Sequence, residues 1–139
     1  MSCIFCKIVS GEISTVKVFE DDDTLAFLDV NPDTEGHCLV IPKKHFETIF
    51  DIDGEILKKV MATLKTVALK IKDSLGAEGM HIANNNGILG GQIVSHFHMH
   101  IIPRYENDGL IMYGPRPKKD EKISLEELQK IAEKIVKNT

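Results

Sequence analysis

Tryptophan is absent from this chain of 139 residues, and tyrosine (two), cysteine (three) and proline (five) are scarce. Three cysteines, an odd number behind no recognisable secretory leader, give no disulfide framework. No run approaches the ~18 consecutive apolar residues of a membrane-spanning helix, so no membrane partner is expected. Nor is there an excess of positive charge. Seventeen Lys and Arg against 21 Asp and Glu leave a formal charge of −4, which argues against a broad electrostatic grip on nucleic acid. The one basic cluster, Arg116-Pro117-Lys118-Lys119, lies between prolines and acids and reads as a solvated loop. What is there, 42% hydrophobic residues, suffices for one compact domain over 1–139, expected in the cytoplasm.

Local patterns order that domain. "CIFCKIVSGEI" holds a short helical turn after its cysteines, and "KVFEDDDTLAFLDV" reads as two strands around an acidic turn at Asp21 to Asp23. "HCLVIP" is a third strand, in which Cys38 is a small buried hydrophobe. Beyond Asp53, a plausible N-cap, apolar residues from Ile56 to Leu75 recur at three- and four-residue intervals, the mark of an amphipathic helix ending before Gly76. "GMHIANN" and "VSHFHMHII" are two further strands joined by the Gly- and Asn-rich "NNGILGG". Ser124 and Glu127 have capping-box spacing and open a last helix at about 124–137. The sum is α+β: a five-stranded antiparallel sheet, one long central helix and a C-terminal helix.

The densest chemistry lies in Ser95-His-Phe-His-Met-His-Ile-Ile102, where three of the six histidines alternate with apolar residues. On a strand His96, His98 and His100 would line one face about 7 Å apart, with Phe97, Met99 and Ile101 buried behind. A neutral imidazole serves as nucleophile, general base or metal ligand, so two readings compete: a three-histidine metal centre, and a nucleophilic histidine supported by its neighbours. The glycine-rich loop ahead of the row offers backbone N–H donors of the kind an anion site needs. Cys3 and Cys6 form a Cys-x-x-Cys pair, which fits half of a structural zinc site or a redox pair.

His96-Phe-His-Met-His-Ile-Ile102 resembles the signature of the histidine triad (HIT) family of nucleotide hydrolases and transferases. "IFCKIVSGEI", "FEDDDTLAFLDVNP", "GHCLVIPKKH" and "NNNGILGGQIVSHFHMHIIP" resemble further family segments in order, covering residues 3 to about 105. The resemblance implies a HIT-like fold and hydrolysis at the α-phosphorus of purine nucleotides, AMP or GMP conjugates such as nucleoside phosphoramidates or dinucleoside polyphosphates. By it His98 is the nucleophile and forms a nucleotidyl-histidine. His100 and Asn85 contact phosphate, the segment Gly91, Gln92, Ile93 and Val94 supplies donors, and His37 relays protons or orders the triad. Ile4, Phe5, Ile8, Ile13, Phe27 and Val30 correspond to the nucleoside pocket, and Asp29 to the carboxylate that accepts from both ribose hydroxyls. Zinc-containing members imply a structural zinc held by Cys3, Cys6, His45 and His96, with no catalytic metal. A homodimer is expected from the same likeness. The chain departs from the phosphoramidase pattern at Ile93, where many members carry Ser or Thr. The rival expectation is a nucleotide-binding sensor or scaffold with negligible turnover.

Overall fold

A computed structural model describes residues 2–110 and 122–137, so the basic cluster at 116–119 lies outside the described residues. Helix α1 (Ile4–Ser10) starts where the Cys3 sulfur accepts the Cys6 N–H and stops at Gly11, whose left-handed backbone (φ 85) returns its N–H to the Ile8 carbonyl. Strands β1 (Lys17–Glu20) and β2 (Thr24–Leu28) form a hairpin. Asp21 Oδ1 fixes its turn by accepting the N–H groups of Asp23 and Thr24 and the Thr24 hydroxyl. Strand β3 (Cys38–Pro42) follows, then α2 (Gly54–Leu75), β4 (Gly79–Ala83), β5 (Met99–Arg104) and α3 (Leu125–Lys137). The sheet order is β1-β2-β3-β5-β4, with every pairing antiparallel.

All five residues of both β2 and β3 are buried, because each face of the sheet is covered. On one face Ala26, Leu28, Val40, Met99 and Ile101 pack with Val60, Leu64, Val67 and Ile71 of α2 and Leu128, Ile131 and Ile135 of α3. On the other Leu25, Phe27, Leu39 and Ile41 meet Phe5 and Ile8 of α1. The α2 boundaries match the sequence pattern: Asp53 caps by accepting the Ile56 N–H, and Gly76 closes the helix at φ 68. Ser124 Oγ likewise accepts the Glu127 N–H at the start of α3. Gly36 takes a left-handed backbone (φ 88) that a side chain would strain, in a turn that passes close to the Leu75 side chain of α2.

One expectation is corrected. The strand expected from Val94 begins only at Met99. The Phe97 N–H donates to the Phe46 carbonyl (2.7 Å) and the His98 carbonyl accepts Asn84 Nδ2 (2.9 Å), so the backbone here is bonded to a loop and a side chain instead of a strand. The alternation survives nonetheless, with Phe97, Met99 and Ile101 in the helix-covered core.

Candidate active site and metal centre

Backbone partners fix the protonation of three imidazoles, and a fourth follows from one of them, because a carbonyl can only accept and an N–H can only donate. His98 Nδ1 lies 2.8 Å from the His96 carbonyl, so Nδ1 carries the proton and Nε2 the lone pair. His96 Nε2 lies 2.8 Å from the Pro42 carbonyl, so the lone pair of His96 is on Nδ1. His37 Nδ1 accepts the Asp33 N–H at 3.0 Å, which puts the His37 proton on Nε2, 3.0 Å from His100 Nδ1. His100 thereby accepts at Nδ1 and presents an Nε2–H. Burial pushes the His98 and His96 imidazolium ions down, His96 to about 4, and keeps both rings neutral near pH 7. Phe5 closes over this group, its ring edge-on to His98 at 5.2 Å and to His96 at 5.8 Å.

A cleft of about 570 Å³ opens above the row. Of the residues singled out in the sequence, Ile4, Phe5, Asp29, Val30, His37, Asn85, Gly91, Ile93, Val94, His98 and His100 line it. Ile8 and Phe27 lie in the buried layer behind it, with Ile13 packed against that layer. Gln92 turns its amide into the loop, accepting the Gly87 N–H and donating to the Glu47 and Val94 carbonyls. The N–H groups of Gly90, Gly91 and Gln92 are likewise spent within the loop, on Gly87 and Ile88 carbonyls. Among the described residues those of Ile93 and Val94, both on the cleft wall, keep no such partner.

Asn31, Asp33, Leu39, His81 and Ala83 also line the cleft and were missed in the sequence. The signal was there for three of them. Leu39 and Ala83 flank His100 across the β3–β5 and β5–β4 ladders, and His81 shares a face of β4 with Ala83. Asn84, which pins the His98 carbonyl, had no such signal.

Beside the cleft Cys3, Cys6, His45 and His96 converge, one ligand atom from each lying within 4.8 Å of the others. His96 Nδ1 is 3.5 Å from Cys3 Sγ, 3.6 Å from Cys6 Sγ and 3.2 Å from His45 Nδ1, which is 3.3 Å from Cys6 Sγ. A tetrahedral zinc with two thiolates and two imidazoles has ligand–ligand edges of about 3.3–3.8 Å, so the donor set fits that ion in kind and spacing. Burial and the neighbouring Cys3 sulfur raise the Cys6 thiol, a cost that a cation between the sulfurs reverses. Asp29, His37 and His100 form a second such cluster within the cleft.

Fold and site together define an antiparallel α+β protein with a histidine row on the floor of a cleft. The chain belongs to the HIT domain family, whose model matches residues 10–107. It is 50% identical over 111 residues to an uncharacterized HIT-like protein of Methanocaldococcus jannaschii, covering 79% of this chain and 84% of that one. It is 40% identical over 136 residues to adenosine 5'-monophosphoramidase hnt1 of Schizosaccharomyces pombe, covering 97% and 96%. A Zn-bound histidine triad family protein from Mycobacterium smegmatis superposes with a TM-score of 0.83 at 33% identity, covering 99% and 92%.

Proposed function

We propose that this protein hydrolyses purine nucleoside monophosphate conjugates at the α-phosphorus through a covalent nucleotidyl-His98. The observation that carries the reading is the His98 Nδ1–H bond to the His96 carbonyl, which leaves an Nε2 lone pair on a buried neutral ring in the cleft. Attack by Nε2 forms the P–N bond as the bond to the leaving group breaks. That group departs with the electron pair and, if an amine, takes a proton from water. Nδ1 keeps its proton on the carbonyl, so the adduct is a cationic phosphoryl-imidazole and itself a good leaving group. Water then attacks phosphorus, the P–Nε2 bond breaks and a proton passes to solvent, giving the nucleoside monophosphate and neutral His98.

The remaining residues supply positioning. His100 Nε2–H, Asn85 and the N–H groups of Ile93 and Val94 stand as neutral donors for the phosphoryl oxygens. Asp29 accepts from the ribose hydroxyls, and Ile4, Phe5 and Val30 receive the base. Cys3, Cys6, His45 and His96 would hold one zinc, which as a closed four-ligand site ties α1 to the histidine segment. The relative named a monophosphoramidase supports the substrate class, and the Zn-bound relative supports the metal. We assign a homodimer as well: β4 is an edge strand with Ile82 exposed, and Leu69 of α2, also exposed, lines a groove with Gly79 and Met80 of β4.

The test is product analysis after long incubation with AMP conjugates. Release of AMP that disappears in His98→Asn supports hydrolysis. Tight AMP binding with no release in the parent protein indicates a nucleotide sensor.

A further inference from the structure

The loop after β4 holds three aliphatic side chains almost wholly in water: Ile88 is 90% exposed, Leu89 105% and Ile93 94%. Phe50, 86% exposed, stands on the loop between β3 and α2, and the two loops are joined where Ile49 N–H donates to Asn86 Oδ1 (2.7 Å) and Gln92 Nε2 to the Glu47 carbonyl (2.7 Å). The glycine-rich loop is braced internally too, by Asn85 Nδ2 on the Gly90 carbonyl and Gln92 Oε1 on the Gly87 N–H. The apolar side chains are therefore held in solvent by a hydrogen-bonded frame, an arrangement that costs free energy unless something apolar covers them.

Continuity and charge say what covers them. Ile93 lines the cleft and also a groove of about 320 Å³ beside it, which Ile4 and Val94 share and Glu47 borders. Among the described residues lining cleft and groove there is no lysine or arginine, and the charged side chains are Asp29, Asp33 and Glu47. A polyanionic tail on the substrate would meet these carboxylates and, among the described lining residues, no lysine or arginine. An uncharged apolar tail would meet Ile93, which stands on the loop that carries Ile88 and Leu89.

We propose that the groove and its apolar collar are a leaving-group subsite, selecting nucleoside monophosphates that carry an uncharged, apolar substituent on phosphorus. This rests on the hydrolytic reading of the cleft and narrows it to one substrate class. The cleaved product then leaves toward solvent while the nucleotide stays on His98.

Three AMP phosphoramidates of near-equal amine basicity provide the test: those of ethylamine, hexylamine and 6-aminohexanoate. The kcat/KM for the hexylamide should exceed that for the ethylamide on the order of tenfold, as expected if about two of the four added methylenes leave water. It should exceed that for the carboxylate-tailed conjugate by a similar factor. In the double variant Ile88→Asn/Leu89→Asn both ratios should fall toward one, with an unchanged urea midpoint showing that the variant is folded. Ratios near one in the parent protein overturn the subsite, as do large ratios that the double variant leaves intact. If the ratios fall only as the variant changes its oligomeric state by light scattering, the collar is a contact between copies and the subsite is again overturned. Failure to cleave any of the three conjugates overturns the hydrolytic reading itself, which separates the two failures.

Discussion

Asp29 has two demands on its carboxylate. Its Oδ1 accepts the Asn31 N–H (2.8 Å), and its Oδ2 lies 3.6 Å from His37 Nε2. Asp29→Asn preserves the first contact and removes the charge offered to a ribose diol, so nucleotide affinity should fall by about 1–3 kcal/mol. Titration calorimetry with AMP and 2',3'-dideoxy-AMP checks this: the dideoxy ligand should lose little on going to the variant, and equal losses would make Asp29 structural. Which residues meet at the cleft was largely legible in the sequence, since alternating histidines name their own face. Depth was not. Ile8 and Phe27 look like Ile4 and Phe5 in the sequence, yet the turn of α1 and the sheet register bury the first pair behind the cleft and leave the second on its wall.

At the scale of elements, the loop from Asn84 to Val94 and helix α1 carry the site. Gln92 ties three backbone groups together, so Gln92→Ala should lower kcat/KM for an AMP conjugate about tenfold through misplaced donors while shifting the urea midpoint little. Faster amide exchange confined to that loop would locate the effect. The strand beginning at Met99 instead of Val94 was invisible beforehand, because the competing partners, the Phe46 carbonyl and the Asn84 amide, come from segments that only the fold brings near. Helix α1 has 7 residues, too few to persist alone, and is held by Phe5, Ile8 and the cysteine–histidine group. Purified protein should contain about one zinc per chain by metal analysis. Cys3→Ser/Cys6→Ser should lose that zinc and raise KM more than it lowers kcat, since Ile4 and Phe5 ride on the loosened helix. Zinc retained by the double variant would refute the ligand assignment.

Across the whole molecule, one sheet separates two jobs. The face under α2 and α3 is packed for stability, and the opposite face holds α1 and the cleft. Ile135→Ala, at a position wholly buried on α3, should therefore cost about 2–5 kcal/mol in urea unfolding and leave kcat of the folded fraction unchanged. The central claim is the covalent His98 adduct, and the most direct measurement is its capture. Protein mixed briefly with a conjugate labelled at the α-phosphorus is quenched without acid, digested and mapped under alkaline conditions, where a phosphorus–nitrogen bond survives. Label is expected on the peptide bearing His98, at Nε2, and none in His98→Asn. Label on His96 or His100, or full turnover by His98→Asn, would contradict it.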